Sequence, residues 1–213
     1  MPFRDRADAG RQLARRLEHL GGEDVVVLGL PRGGVPVAAE VAASLHAPLD
    51  VIVVRKLRVP RRPELAMGAV GEQGTLVRNH HVVLACDVAD AEFAEAEQLE
   101  RAALAGQLRR LREVRTREPL EGRTAVVVDD GIATGATARA ACAVTLAQGP
   151  GRVVLAAPVC AADAARTLAA EVAELVSVLI PDRFASVGGF YADFRATSEE
   201  QVVDLLRHAQ PAL

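Results

Sequence analysis

TAVVVDDGIATGAT, residues 124–137, decides how this chain is read. A β-branched apolar run ends on two adjacent carboxylates, Asp129 and Asp130. Apart from Ile132, only small or hydroxyl-bearing residues follow: Gly131, Ala133, Thr134, Gly135, Ala136 and Thr137. A strand that enters a helix through such a loop offers backbone N–H groups to an anion, and small side chains let a phosphate come close. Thr134 and Thr137 add hydroxyl donors. The usual P-loop is excluded, because G-x-x-x-x-G-K-S/T is absent. The two carboxylates repel unless they meet a cation or accept hydrogen bonds, and the paired hydroxyls of a ribose would supply the bonds. Diol and phosphate together describe a ribose 5-phosphate unit. Read alone, the stretch also fits an ordinary turn followed by a helix cap.

Outward from this stretch, short apolar runs alternate with Ala- and Leu-rich helical patterns. Strands are predicted at 24–30, 49–55, 124–130, 152–159 and 175–180, with helices at 35–46, 135–148 and 161–172. The runs are apolar on both faces, as a parallel sheet covered by helices requires. The alternation predicts one α/β domain over 1–213 with a doubly wound parallel sheet, whose ligands bind at the carboxyl ends of its strands. Residues 56–66, rich in Pro and Arg, are predicted as a loop. GAVGEQGTLVRNHHVVLA (68–85) is predicted as a hairpin turning on Gly-Glu-Gln-Gly, with His80 and His81 in or beside it and no third ligand to suggest a metal. A helical insert is predicted at 90–116, weakened by Gly106, and a C-terminal helix begins near Ser198, a plausible N-cap.

The 213 residues are half apolar and one quarter charged, with a net charge of −3, which gives no bulk case for nucleic-acid binding. No uncharged apolar run approaches the roughly 18 residues of a membrane span. MPFRDRADAGRQLARRLEHL reads as an amphipathic helix, not a secretion signal. Three cysteines, Cys86, Cys142 and Cys160, without a C-x-x-C, argue against a disulfide framework or structural zinc and lead us to expect the cytoplasm. Of 25 basic side chains only Lys56 is a lysine, and it sits in VRKLRVPRRP. Its compact ammonium differs in reach and geometry from a guanidinium.

VVVDDGIATGAT closely resembles the 5-phosphoribosyl 1-pyrophosphate (PRPP) motif of type I phosphoribosyltransferases, and the resemblance extends from about residue 24 to 195. It implies that Asp129 and Asp130 bind the ribose hydroxyls and stabilise positive charge at the anomeric carbon. It implies too that residues Ala133, Thr134, Gly135, Ala136 and Thr137 bind the 5′-phosphate. GLPRGGVP (29–36) is similar to the family's pyrophosphate loop, which places Arg32, Gly33 and Gly34 there, with Arg55 and Lys56 from the end of the next strand. With the two aspartates, Lys56 completes the expected catalytic set. Arg58, Arg61 and Arg62 fit a solvated basic loop, and the segment that follows is expected to act as a mobile lid. LIPDRFASVGGFYADF (179–194) resembles the hood of hypoxanthine-guanine phosphoribosyltransferases, so that Phe184 would stack on a base and Asp193 would lie near the metal, through water. Core packing of Phe184, Phe190, Tyr191 and Phe194 fits as well.

The resemblance implies a Mg²⁺-dependent transfer of the phosphoribosyl group from PRPP to a nitrogenous base or other small nucleophile, with release of pyrophosphate. The alternative is a protein of the same fold that senses PRPP or a nucleotide without catalysis. Two departures argue against a 6-oxopurine: Ala133 stands where those enzymes carry an aspartate, and Cys160 falls near the place of their lysine. The insert 90–116 is unlike the small salvage enzymes and is expected to cover the site or to form a homodimer surface, although its mixed charges fit a solvated helix equally.

Overall fold

The computed structural model describes residues 2–209. β1 (Val25–Gly29), β2 (Leu49–Val51), β6 (Thr124–Val128), β7 (Arg152–Val159) and β8 (Glu174–Leu179) form a wholly parallel sheet in the order β2-β1-β6-β7-β8. Every residue of β1 and β6 is buried, which explains why the sequence shows unbroken apolar runs there. Helix α1 (Arg6–Arg16) lies against β7, β8 and α2 (Gly34–Leu45), while α5 (Ala136–Leu146) packs on β6 and β7. Two apolar clusters, one on either side of the sheet, form the core: Leu13, Val35, Val41 and Val126 belong to one, Leu28, Val127, Val144 and Leu168 to the other. The chain runs from β1 outward to β2, then returns to the opposite side of β1 as β6. That reversal opens a crevice between the carboxyl ends of β1 and β6, the place where open α/β sheets bind ligands.

The segment after β2 departs from expectation. The predicted strand 49–55 stops at Val51, and a separate antiparallel flap follows: β3 (Arg55–Val59), β4 (Arg62–Val70) and β5 (Leu76–Arg78). Residues 56–66 are therefore two paired strands and not a loop. Leu57 and Val59 are buried on either side of exposed Arg58, an alternation obscured by Pro60 and Pro63. The predicted hairpin turn at 71–75 is present, but its second strand ends at Arg78. His80–Ala85 form a short helix, α3, because the Asn79 side chain accepts from the Val82 N–H at 3.2 Å.

The predicted insert is one helix, α4 (Asp90–Val114), and it backs the flap. Phe93, Leu104 and Leu111 are buried, Arg78 lies 4.4 Å over the Phe93 ring, and Arg78–Asp90, Arg61–Glu92 and Arg55–Glu100 pair at 2.7 Å. The returning chain is pinned by a buried charge network. Asp50, with no exposed surface, accepts from the Val51 N–H at 2.7 Å, Arg112 Nη1 at 2.6 Å, the Glu118 N–H at 3.0 Å and Arg117 Nη1 at 3.4 Å. Arg112 also donates to both oxygens of Glu72 in the flap turn, at 2.5 and 2.6 Å. After α6 (Ala162–Leu168), the C-terminal helix α7 (Glu199–His208) starts at Ser198, whose side chain accepts from the Gln201 N–H as predicted.

Asp50→Ala would leave two part-buried guanidiniums with Glu72 as their one remaining shared anion, and the Glu118 N–H without its acceptor. We expect it to destabilise the protein by about 3–5 kcal/mol in urea unfolding; a loss below about 1 kcal/mol would show that the network has little structural weight.

Candidate active site

Two loops meet at the crevice. The one after β1 carries Leu30–Gly34; the Leu30 N–H donates to the Val128 carbonyl at 2.8 Å, and the Pro31–Arg32 peptide is cis. Its glycines are required by proximity. A Cβ at Gly34 would stand 2.5 Å from the Val128 oxygen, and one at Gly33 would fall inside the Asp130 carboxylate. The structure thus brings the PRGG loop and the acid pair into direct contact. Arg32 is exposed, and its guanidinium makes no hydrogen bond or ion pair among the described residues.

Asp129 Oδ1 accepts from the Asp130 N–H at 2.9 Å. Asp130 Oδ2 accepts from Arg6 Nε at 2.8 Å, and the Tyr191 hydroxyl donates to the Asp130 carbonyl at 2.6 Å. Burial, with the Asp130 charge beside it, pushes the Asp129 carboxyl up to about 7. Burial also raises Asp130, and the Arg6 guanidinium opposes that rise. Burial, then the Asp130 charge, raises the Tyr191 hydroxyl well above its ordinary value, so it remains a donor. Arg6 and Tyr191 were not singled out as site residues in the sequence, where Arg6 is one of several arginines on an amphipathic helix. Nothing local signals that residue 6 reaches residue 130.

Beyond the acids, the Ile132 N–H donates to the Val159 carbonyl and the Ile132 carbonyl accepts from the Ala161 N–H, both at 2.8 Å, tying the loop to the end of β7. Gly135 caps α5 with φ +76°, and a Cβ there would press on Leu168 at 2.9 Å. Asp129 and residues 131–138 line a cavity of about 170 Å³, with Ala133, Thr134, Ala136 and Thr137 at its exposed rim. Such a helix start presents unsatisfied N–H groups. Lys56 reaches the same rim, its Nζ 3.5 Å from Thr137 Oγ1; burial, then the Arg58 charge, lowers its pKa. Arg55, expected beside Lys56, turns instead to Glu100 on α4.

The hood contains a short 3-10 turn, Val187–Phe190, and a cluster of Phe3, Tyr191, Phe184, Phe190 and Phe194 around Val159. Phe184 is half-buried, its ring 5.5 Å from Phe190, so it serves packing. Asp193 is held by Arg195 Nε at 2.9 and 3.0 Å and by Arg195 Nη2 at 2.6 Å, and it is not a bare carboxylate. Among the described residues no three His, Cys, Asp or Glu side chains converge as a metal site. No described helix is long and apolar enough to cross a membrane. Cys160 is fully buried, with its thiol pushed up by burial to about 11, and cannot stand in for a surface lysine.

In the unfolded chain the Asp129 carboxyl titrates near its ordinary 3.8. The folded protein therefore retains a proton that the unfolded one loses, and the resulting stability is full below about pH 4 and is lost as pH rises through about 7. Asp129→Asn should flatten that decline in urea unfolding measured from pH 4 to 8; parallel curves for the two proteins would refute the assignment. Gly33→Ala should cost about 1–3 kcal/mol by forcing the loop off Asp130. A wild-type denaturation midpoint would show that the contact is loose.

A model of the phosphoribosyl transferase domain matches residues 5–195. Two Mycobacterium tuberculosis proteins, each named "Putative phosphoribosyl transferase" (MT0597 of strain CDC 1551 and Rv0571c of strain H37Rv), are 53% identical over 207 residues, 97% of this chain. The chain spans about half the length of those relatives, 47% of each. The crystal structure of TT1426 from Thermus thermophilus superposes with a TM-score of 0.92 at 44% identity, covering 98% of this chain and 99% of that one. With its family domain matched over most of its length and its acid pair, glycine loop and α5 cradle gathered at one crevice, the chain belongs to the phosphoribosyl transferase domain family.

Proposed function

We propose that the crevice binds PRPP and that the protein transfers its phosphoribosyl group to a small nucleophile with release of pyrophosphate. The observation that carries this reading is the meeting, at the switch point of the sheet, of three complementary parts. Asp129 and Asp130, part-buried at the end of β6, would act as hydrogen-bond acceptors for a diol. The α5 cradle supplies N–H and hydroxyl donors for a monophosphate. The glycine loop, with unpaired Arg32 beside it, supplies backbone and charge for a diphosphate.

Cleavage of the bond from the anomeric carbon to pyrophosphate passes through an oxocarbenium-like state, as in glycoside hydrolysis. The two carboxylates hold the sugar and offset the developing positive charge. Arg32 and Lys56 counter the charge of the departing pyrophosphate, and Lys56 also borders the phosphate rim. The donor set fits Mg²⁺ only as an ion that arrives with the pyrophosphate, since one or two carboxylates plus substrate phosphates meet its needs and no three ligands converge among the described residues. Asp193 would hold it through water once released by Arg195, and the bound ion would supply charge neutralisation of the leaving group. Phe184 offers one ring face to a planar acceptor.

A second reading, a PRPP sensor, draws on Ala133 and buried Cys160: neither can handle a proton on an acceptor. In both readings PRPP with Mg²⁺ stabilises the folded state. At a hundredfold excess over Kd the melting temperature should rise on the order of 5–10 °C. The double variant Asp129→Asn, Asp130→Asn should abolish that rise, and an unchanged rise would reject the diol role. Pyrophosphate release across a panel of nitrogenous acceptors separates the readings: turnover with one of them establishes the transferase, and tight PRPP binding with no turnover on any favours the sensor.

A further inference from the structure

Among the described residues one cation touches the acid pair, and in sequence it stands 124 positions from Asp130. Arg6 opens α1, which Asp5 caps by accepting from the Asp8 N–H at 2.8 Å. Its side chain is only 12% exposed and is fixed at three points: Nε donates to Asp130 Oδ2 at 2.8 Å, Nη1 donates to the Arg195 carbonyl at 2.7 Å, and the guanidinium lies 4.0 Å over the Phe194 ring. The backbone that carries it is fixed as well. The Phe3 N–H donates to the Phe190 carbonyl at 3.2 Å, the Ala192 N–H to the Phe3 carbonyl at 2.9 Å, and the Asp193 N–H to the Arg4 carbonyl at 2.8 Å. Phe3 itself is fully buried against Tyr191, ring centroids 5.3 Å apart.

Asp130 is thus held at three points. Gly33 abuts its carboxylate, Tyr191 holds its carbonyl, and Arg6 occupies Oδ2. Its Oδ1 accepts no hydrogen bond among the described residues, whereas the Asp129 Oδ1 is taken by a backbone N–H. A planar guanidinium can donate in two directions and lie flat on an aromatic face at once, which an ammonium cannot do.

From this geometry we propose that Arg6 is the positioning residue of the diol site, fixing the Asp130 carboxylate so that its free oxygen meets the sugar hydroxyls. The inference rests on the diol reading of Asp129 and Asp130, and it assigns no contact between Arg6 and the sugar. The opposite role, a latch that must leave before the sugar enters, makes the reverse prediction.

Calorimetric titrations of the full chain with ribose 5-phosphate, PRPP with Mg²⁺, and inorganic pyrophosphate with Mg²⁺ test it. Arg6→Gln should weaken ribose 5-phosphate and PRPP on the order of tenfold or more, the scale of a lost charge-assisted hydrogen bond, and leave pyrophosphate within about twofold. Arg6→Lys should lie between Arg6→Gln and wild type. In an Asp130→Asn background, Arg6→Gln should add no further loss. Unchanged or tighter sugar binding in Arg6→Gln overturns the proposal, and so does an equal loss for pyrophosphate, which a general disturbance of the fold would give. Should Arg6→Gln not fold, Arg6→Lys decides: wild-type affinity for ribose 5-phosphate overturns the proposal, and selective weakening supports it. The two levels separate cleanly. If Asp129→Asn, Asp130→Asn binds ribose 5-phosphate like wild type, the diol reading itself fails; if those acids matter and Arg6 does not, only this inference falls.

Discussion

Two carboxylates side by side at the end of a buried strand repel each other and resist losing water. Everything close to Asp129 and Asp130 answers that constraint. A backbone N–H stabilises the first, a guanidinium the second, and a tyrosine hydroxyl fixes the main chain just after them. Glycine is the only residue that fits at positions 33 and 34, because the neighbouring loop must come within contact of the acids. A parallel sheet that reverses its winding leaves a gap at that point, the place where open α/β sheets bind ligands, and the pair lies at its edge.

The flap gives the crevice its second wall. Its strands bring Lys56 to the rim of the α5 loop at Thr137, and its outer side is strapped to α4 by ion pairs and by the packing of Phe93. The insert, unlike the small salvage enzymes in sequence, acts here as the backing of the flap. Its far end closes on Asp50 and Glu72, so one helix links the edge strand β2 to the turn of the flap. The extra length therefore has an architectural role in shaping the site.

Much of this was legible in the sequence, and what was not has physical reasons. The central strands are written as β-branched runs because both faces are covered, and the strand–loop–helix at 124–137 is a local pattern that needs no tertiary information. The flap was missed because strands with one exposed face, broken by Pro60 and Pro63, look like a loop until their partners are known. Val82, Val83 and Leu84 suggest a strand, but the Asn79 side chain caps a short helix there instead. Arg55 and Lys56 are grouped in the sequence by their place at a strand end and by the family resemblance, but on a strand adjacent side chains point to opposite faces, so that Arg55 meets α4 and Lys56 meets Thr137. Arg6 was invisible because its partner lies 124 positions away.

The joining of residue 3 to residue 191 by a parallel bridge has a consequence for how the molecule comes together. Contacts of such sequence separation carry a large loop-closure cost and are rewarded only after the intervening sheet exists. The aromatic cap over Val159 is therefore a late event on the folding route, and the grip on Asp130 from residues 6 and 191 comes with it. A nascent chain can hold a complete five-stranded sheet, with glycine loop and helix start in place, and still lack a properly aimed second acid.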